Sequence, residues 1–273
     1  MKSLTTEDFM RTCPSFYATA PKHDVSDKYS FINTREIAVT LWELGWMPVF
    51  AREAAVKDQS NRGLTRHIVR WTRKDLDLGE ERIDLVGLNS HNRSAAFQFH
   101  AGIFRMVCEN GIISKSEDFG SFKIKHIGDI HEQVKTAVAG ISGFASKLAD
   151  KVQDWKTIEL SPNEQGIFAR TAHDYIYTGP DGEVNSPLFT PRQLLTVHRL
   201  EDSIGTGHIQ PKQDLWTTFN VIQENALKGG LKGRGSTGRR MSTRAVKSIE
   251  KDVKLNQALW SMAEQMASIK RAA

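Results

Sequence analysis

Apolar and polar residues alternate along three consecutive stretches in the first half of the chain. Successive side chains of a β-strand point to opposite faces of the sheet, so this period of two predicts three strands. Short links rich in Asp, Asn, Ser and Gly separate the stretches, which favours an antiparallel meander. The predicted strands cover residues 47–56, 64–73 and 82–89.

Apolar residues with helical spacing lie on both sides of the predicted meander. Ile37 and Leu41 predict a helix that Thr34 caps and Gly45 ends. Residues 94–109 predict a second helix, which should lie across the sheet as its main core partner. Its apolar stripe consists of Phe97, Ala101, Phe104 and Cys108. The other predicted segments are an irregular arm at 1–28, a short strand at 29–33 and a hairpin at 112–127.

The second half of the chain is predicted to be mostly helical. Ser161, Pro162 and Glu164 have the spacing of a capping box, which marks the start of a helix. Predicted helices cover residues 130–155, 161–177, 190–199, 214–228 and 246–270. The chain is therefore expected to have an α+β fold, an antiparallel β-meander packed on helices with a mostly helical C-terminal half. The expected organisation is an irregular arm (1–28), a sheet core (29–127) and a helical half (128–273) that contains a basic loop (228–245).

Length and composition are those of a globular protein that can bury a real core. The 273 residues are 39% hydrophobic and 25% charged, which excludes a disordered chain. No apolar stretch approaches the ~20 residues that span a bilayer, and the first residues lack the apolar centre of a secretory signal. Two cysteines, Cys13 and Cys108, exclude a disulfide framework. We therefore expect a cytoplasmic protein.

Positive charge is concentrated in residues 228–251. This stretch holds eight Lys or Arg residues against the single acid Glu250, so it carries +7, whereas the whole chain carries +5. A local cationic cluster is typical of proteins that bind nucleic acid, because neutralising phosphates releases condensed counterions. Five interspersed glycines predict a flexible loop. The candidate nucleic-acid-binding residues here are Lys228, Lys232, Arg234, Arg239, Arg240, Arg244 and Lys247.

A second candidate cationic site lies on the predicted sheet. Arg66 and Arg70 occupy the same face of one strand, and Arg52 on the preceding strand is placed to join them. A row of arginines can follow a phosphate backbone, and an exposed Trp71 could stack on a base. The alternative is a solvated sheet face with Trp71 in the core. Arg93 is a further candidate, because Ser94 would cap the helix that follows and create an anion site.

Catalytic chemistry has little support in the sequence. The nine histidines are scattered, and neither an HExxH nor a CxxC motif is present. Ser90 and His91 are adjacent, so on an extended chain they point apart and favour turn chemistry. We expect no catalytic residue, no metal and no cofactor. A nuclease that uses His91 and nearby acids such as Asp84 is a weaker hypothesis.

Three stretches of the chain resemble a known protein family. They are Thr65-Arg66-His67-Ile68-Val69-Arg70, the segment LNSHNRSAAFQFHAGIFRMVCENG from Leu88, and DLWTTFNVIQENALKGG with the following GRRMSTRAVKSIEKDVKLNQALW. They resemble a phage- and plasmid-borne family known only as a domain of unknown function, family 932. The resemblance covers most of the chain from about Tyr29 onward. It implies a mobile-element setting in bacteria and no particular activity.

The predicted order of elements resembles a second group of proteins at the level of the fold alone. A helix, a three-stranded meander and a helix across the sheet are similar to the core of Rad52-type annealing proteins, which bind single-stranded DNA and form rings. The leading hypothesis is a mobile-element protein that binds or anneals single-stranded DNA in recombination, as a homo-oligomer. The alternative is a protein-interaction module that inhibits a host defence or restriction system. The sequence leaves DNA versus RNA open.

Overall fold

The structure is a computed structural model, and it divides the chain into two compact units. They are Met1–Leu148 and Ala149–Ala273. The structure describes residues 4–23, 31–56, 58–77, 81–105, 111–113, 121–124, 129–178, 182, 189–204, 211–235 and 237–272. The fold is α+β, with an antiparallel sheet in the first unit and mostly helices in the second.

The predicted three-stranded meander is confirmed, and it belongs to a six-stranded antiparallel sheet. The strand order is β1-β2-β3-β4-β5, and β6 also pairs with β4. The strands are β1 (Met47–Glu53), β2 (His67–Asp77), β3 (Glu81–Asn89), β4 (Gln98–Arg105), β5 (Gly111–Ile113) and β6 (Ser121–Lys123). Trp71 of β2 lies on the same face as Leu85 of β3, its direct partner.

The predicted helix at 94–109 is wrong, because this segment contains strand β4. Phe97, Phe99, Ala101 and Ile103 are all buried and recur every second residue. The same apolar residues fit a period of two as well as a helical stripe. Strand β4 pairs with β3 along its whole length, from Gln98 with Leu88 to Arg105 with Glu81, so this segment belongs to the sheet.

Residues 112–127 also differ from the prediction of a hairpin. In the described residues of this segment, β5 and β6 each pair with β4, one at each end of it. The predicted hairpin turn lies outside the described residues.

In the described residues before the sheet, the first unit has two α-helices and a short 3₁₀ helix. Helix α1 (Thr6–Thr12) lies in the arm that was expected to be irregular, and Thr5 and Asp8 form a capping box at its start. A short 3₁₀ helix, Pro14–Tyr17, follows, and Phe9 stacks on Phe16 with ring centroids 4.2 Å apart. Helix α2 (Thr34–Glu43) is confirmed, but its N-cap is Asn33 rather than Thr34. Residues 31–33 are not the predicted strand.

Helix α3 (Ile130–Thr157) begins in the first unit and continues into the second. The second unit adds α4 (Pro162–Tyr177), α5 (Leu215–Lys228) and α6 (Ile249–Ala272). The predicted capping box of Ser161 and Glu164 is present, and Asp214 caps α5 as expected. The predicted helix at 190–199 is a 3₁₀ helix, Pro191–Leu195. The core of this unit is aromatic: Trp155, Phe168, Trp216, Phe219 and Trp260 are nearly inaccessible.

The described helices were also compared with the requirements of a membrane span. None of them combines the length and the apolar character that crossing a bilayer needs.

Two buried histidines of the sheet predict that acid destabilises the fold. Burial and the neighbouring His91 lower the pKa of His67 to about 3, against a weaker opposite effect of its hydrogen bond with Thr65. Burial lowers the pKa of His100 to about 4. Below pH ~6.5 these histidines are protonated in the unfolded chain but stay neutral in the folded chain. The free energy of unfolding therefore falls by about 1.4 kcal/mol per pH unit for each histidine, until the pH reaches the pKa of the folded state.

Urea unfolding at pH 7 and pH 5 measures this loss. The variant His100→Leu should remove about half of what the two buried histidines contribute to the loss of unfolding free energy between pH 7 and pH 5. The variant His23→Gln, at an exposed position, should show the same loss as wild type. Equal pH dependence in all three proteins would contradict the expectation.

Candidate nucleic-acid interface

The basic segment is an ordered β-hairpin, which corrects the expectation of a flexible loop. Strands β7 (Lys232–Arg234) and β8 (Arg240–Ser242) pair antiparallel. Backbone bonds continue the pairing beyond them, since Gly230 N–H donates to Thr243 O and Thr243 N–H donates to Leu231 O, each at 2.9 Å. We call residues 228–247 the basic hairpin.

The two ends of the basic hairpin are held together at its base. Val246 N–H donates to Leu227 O at 2.8 Å, across the start and end of the hairpin. Gly229 has a φ of +68°, and a Cβ added there would lie 2.6 Å from the carbonyl carbon of Arg244. The glycine therefore permits a close crossing of two backbone segments rather than simple flexibility. At the tip, Gly238 N–H donates to Gly235 O at 2.8 Å and closes the turn.

Replacing Gly229 by Ala is expected to cost about 2–3 kcal/mol of unfolding free energy, because the change combines backbone strain with a steric clash. Gly230 is a matched control: its φ is also positive, at +86°, but a Cβ there meets no atom within 4 Å. Gly230→Ala should cost only about 1 kcal/mol, the strain alone. Chemical denaturation of both variants measures the difference, and equal losses would show that the crossing at Gly229 is not tight.

Three cations of the basic hairpin share one exposed face. Arg234 and Arg240 are direct cross-strand partners, so their side chains lie on the same face, together with Lys232. Like charges placed opposite each other destabilise a strand pair, and a bound polyanion would remove that repulsion. The exposed candidate cations of the hairpin are Lys228, Lys232, Arg234, Arg239, Arg240, Arg244 and Lys247.

Lys228 and Arg234 each have an additional contact. Lys228 Nζ forms an ion pair with Glu224 Oε1 of α5 at 2.8 Å. Burial opposes the charge of Glu224, but Lys228 and Arg199 outweigh this effect and lower the pKa of the Glu224 carboxyl group. Arg234 Nη1 donates to Gly238 O at 3.1 Å, which fixes the arginine beside the turn.

Two arginines of the predicted row lie on paired strands, but Arg70 is not accessible. Arg52 of β1 pairs with Ile68, two positions before Arg70 on the same face of β2, whereas Arg66 directly precedes this strand. Arg70 forms an ion pair with Asp84 at 3.0 Å, and the side chains are only 5% and 0% exposed. A phosphate contact by Arg70 stays a prediction, and in the structure its guanidinium compensates a buried carboxylate.

Asp84 is shared between two buried arginines. Arg82 Nε and Nη2 donate to its two carboxylate oxygens at 2.6 and 2.9 Å. Burial opposes the charge of Arg82, but hydrogen bonding to and attraction by Asp84 outweigh this effect and raise the pKa of Arg82. The group Arg70, Asp84 and Arg82, which we call the buried ion cluster, thus stabilises the sheet.

The remaining residues proposed for the sheet site have structural contacts. Arg66 donates from Nη2 to Ser94 O, and Arg52 is half-buried. Trp71 is fully buried, and its ring lies against the position of Gly87, so the core alternative holds for this residue.

Arg93 is exposed, but the reason for choosing it is wrong. Strand β4 rather than a helix follows Ser94, so no helix N-terminus creates an anion site there. Arg93 has a φ of +63° in a turn in which Ser94 N–H donates to Asn92 Oδ1. Turn chemistry explains these polar residues.

The residues of the nuclease hypothesis also serve the fold. His91 is buried and contacts Ser15 O through Nε2 at 3.0 Å, and Asp84 belongs to the buried ion cluster. Within the described part of the chain, no group of three His, Cys, Asp or Glu residues is arranged to hold a metal ion.

Comparison with known proteins identifies the family. The model of the family described as "Domain of unknown function (DUF932)" matches residues 22–260. The chain belongs to this family. It is also 35% identical over 265 residues to UPF0380 protein YafZ and to UPF0380 protein YfjQ, both of Escherichia coli K12, which covers 97% of this chain and 92% of each relative. No solved structure matches the chain, so the similarity to Rad52-type proteins stays a prediction.

The DUF932 match includes both the sheet and the basic hairpin, since it ends within α6. The family description assigns no activity, so the function of this DUF932 protein has to be argued from its surface.

Sequence reasoning missed one residue that positions the basic hairpin. Gln193 Nε2 donates to Lys232 O at 2.8 Å, and Thr190 N–H donates to Gln193 Oε1 at 2.9 Å. Thr190 and Gln193 have the spacing of a capping box, which is visible in the sequence. The long-range bond to Lys232 has no sequence signal.

Proposed function

We propose that this DUF932 protein binds single-stranded DNA and acts in annealing or recombination of a phage or plasmid. The observation that carries the proposal is the face formed by Lys232, Arg234 and Arg240. These side chains are exposed, Arg234 and Arg240 are direct cross-strand partners, and the hydrogen-bonded hairpin holds them in place. An ordered cationic ribbon can follow a phosphate backbone without losing much conformational entropy on binding.

Titration of a fluorescent oligothymidine with purified protein at several salt concentrations tests the proposal. The logarithm of the binding constant should fall linearly with the logarithm of salt, with a slope of about −3 to −5 if most of the hairpin cations contact phosphates. Single-stranded DNA should compete better than duplex DNA or RNA of equal length. Absence of binding, or binding that salt does not weaken, would exclude the proposal and favour an acidic protein partner.

The proposal includes self-association of the chain through a patch on the first unit. Val39 and Trp42 lie three residues apart on α2 and are 51% and 64% exposed. Leu44 and Met47 continue the exposed apolar surface to β1, the first strand in the sheet order. An exposed apolar patch at a sheet edge favours contact with a second copy.

The variant Trp42→Asp should shift the protein to monomers in light scattering, because a carboxylate cannot be buried in an apolar contact. Ile269→Asp is the control, since Ile269 is similarly exposed, at 61%, but lies on α6. A wild-type protein that is monomeric at all concentrations would refute self-association.

A further inference from the structure

A large open cleft lies within the second unit. It is formed by the first turns of α4, the 3₁₀ helix Pro191–Leu195 and Pro211, and its volume is ≈ 1390 Å³. This exceeds the range of about 300–1,000 Å³ that is common for small-molecule pockets. The size therefore suits a segment of a polymer better than one small metabolite.

The lining of the cleft combines cationic and apolar groups. Arg170 and Arg192 are both exposed, and no Asp or Glu is among the described lining residues. Ile167 is 58% exposed on α4, and Pro191 and Leu195 line the cleft with it. Apolar surface accommodates the flat faces of nucleobases, and guanidinium groups bind phosphates or stack on bases.

The cleft is attached to the basic hairpin by a direct hydrogen bond. Gln193 lines the cleft and donates to Lys232 O of β7 at 2.8 Å. The wall of the cleft and the strand that carries Lys232 and Arg234 therefore keep a fixed distance. A DNA strand bound along the hairpin meets the cleft within a short length of backbone.

We propose that the cleft receives unstacked bases of the single strand whose phosphates the basic hairpin binds. This inference rests on the proposed function and adds a base-binding site to it. Arg170 and Arg192 hold the backbone at the cleft, and Ile167, Pro191 and Leu195 contact the base faces. The Nε2 amide groups of Gln165 and Gln193 are already bonded to protein groups, so the base faces rather than these two amides provide the contact.

Gly166 offers a way to obstruct the cleft without disturbing α4. It lines the cleft, and a Cβ added there meets no atom within 4 Å. Either Ala or Leu is also favoured over Gly in a helix. Gly166→Leu therefore extends a side chain into the cleft, and Gly166→Ala is the matched control.

The experiment compares a normal oligothymidine with a strand of equal length that carries abasic sites, so that phosphates stay and bases are lost. Wild type and Gly166→Ala should bind the normal strand about tenfold more tightly than the abasic strand. Gly166→Leu should bind both strands equally, at the affinity of the abasic strand. Circular dichroism checks that both variants remain folded.

The outcomes separate the two proposals. If wild type binds both strands equally, or if Gly166→Leu retains the preference for bases, the cleft is not the base site, while the hairpin proposal stands as long as salt weakens binding. If wild type binds neither strand, both proposals fail. A preference for bases that Gly166→Leu alone loses supports the base-binding cleft.

Discussion

Replacing Lys232, Arg234 and Arg240 together by Ala is expected to weaken binding of single-stranded DNA by about two orders of magnitude at about 50 mM salt. Each lost phosphate contact removes about 0.7 from the steepness of the salt dependence on single strands, so the slope should become less negative by about two. Fluorescence anisotropy over a series of salt concentrations measures both quantities. The effect should vanish near 1 M salt, where counterion release no longer favours binding.

A control with the same loss of charge uses Lys74, Lys123 and Lys147, which are exposed and belong to the first unit. Their replacement by Ala should leave the salt slope almost unchanged. If both triple variants weaken binding equally, net charge rather than the hairpin geometry governs affinity. If neither does, the basic hairpin is not the phosphate-binding surface.

Replacing Asp84 by Asn should destabilise the protein by about 3–5 kcal/mol, because it leaves Arg70 and Arg82 buried without their shared carboxylate. Asp75 provides an unusually close control. Arg73 donates to Asp75 at 2.6 and 2.9 Å, the same distances and the same two-residue spacing as Arg82 with Asp84, but Asp75 is 61% exposed.

Asp75→Asn should cost less than about 1 kcal/mol, since solvent already screens the exposed pair. Urea unfolding of both variants compares the loss of unfolding free energy for a buried and for an exposed Arg–Asp pair of the same geometry. A small loss in Asp84→Asn would mean that other groups compensate the two arginines.

Elements with a local signal could be predicted from the sequence. The turn residues between the first strands fixed the meander, and the capping box of Ser161 and Glu164 marked the start of α4 within one residue. Strand β4 was missed because its apolar residues satisfy two periods at once. Only the pairing of this segment with β3, which the apolar pattern does not encode, decides between them.

The candidate site could likewise be predicted only where the sequence carries a local signal. Charge density identified the basic hairpin, but the glycines that suggested flexibility serve particular backbone geometries, as at Gly229. The alternation of the second predicted strand placed Arg66 and Arg70 in one row, and of these two only Arg70 lies within β2. It could not show that Asp84, two positions from a partner of Arg70 on β3, neutralises Arg70. Cross-strand register, not composition, shows that a buried carboxylate neutralises Arg70.

Because the two ends of the basic hairpin lie close together, the hairpin can be removed as a unit. Leu227 and Val246 already lie within one backbone hydrogen bond of each other, so a direct splice between α5 and the segment that leads to α6 spans almost no distance. We expect a chain in which Leu227 is joined directly to Val246 to keep the aromatic core of the second unit, which would provide a folded protein without the basic hairpin for comparison.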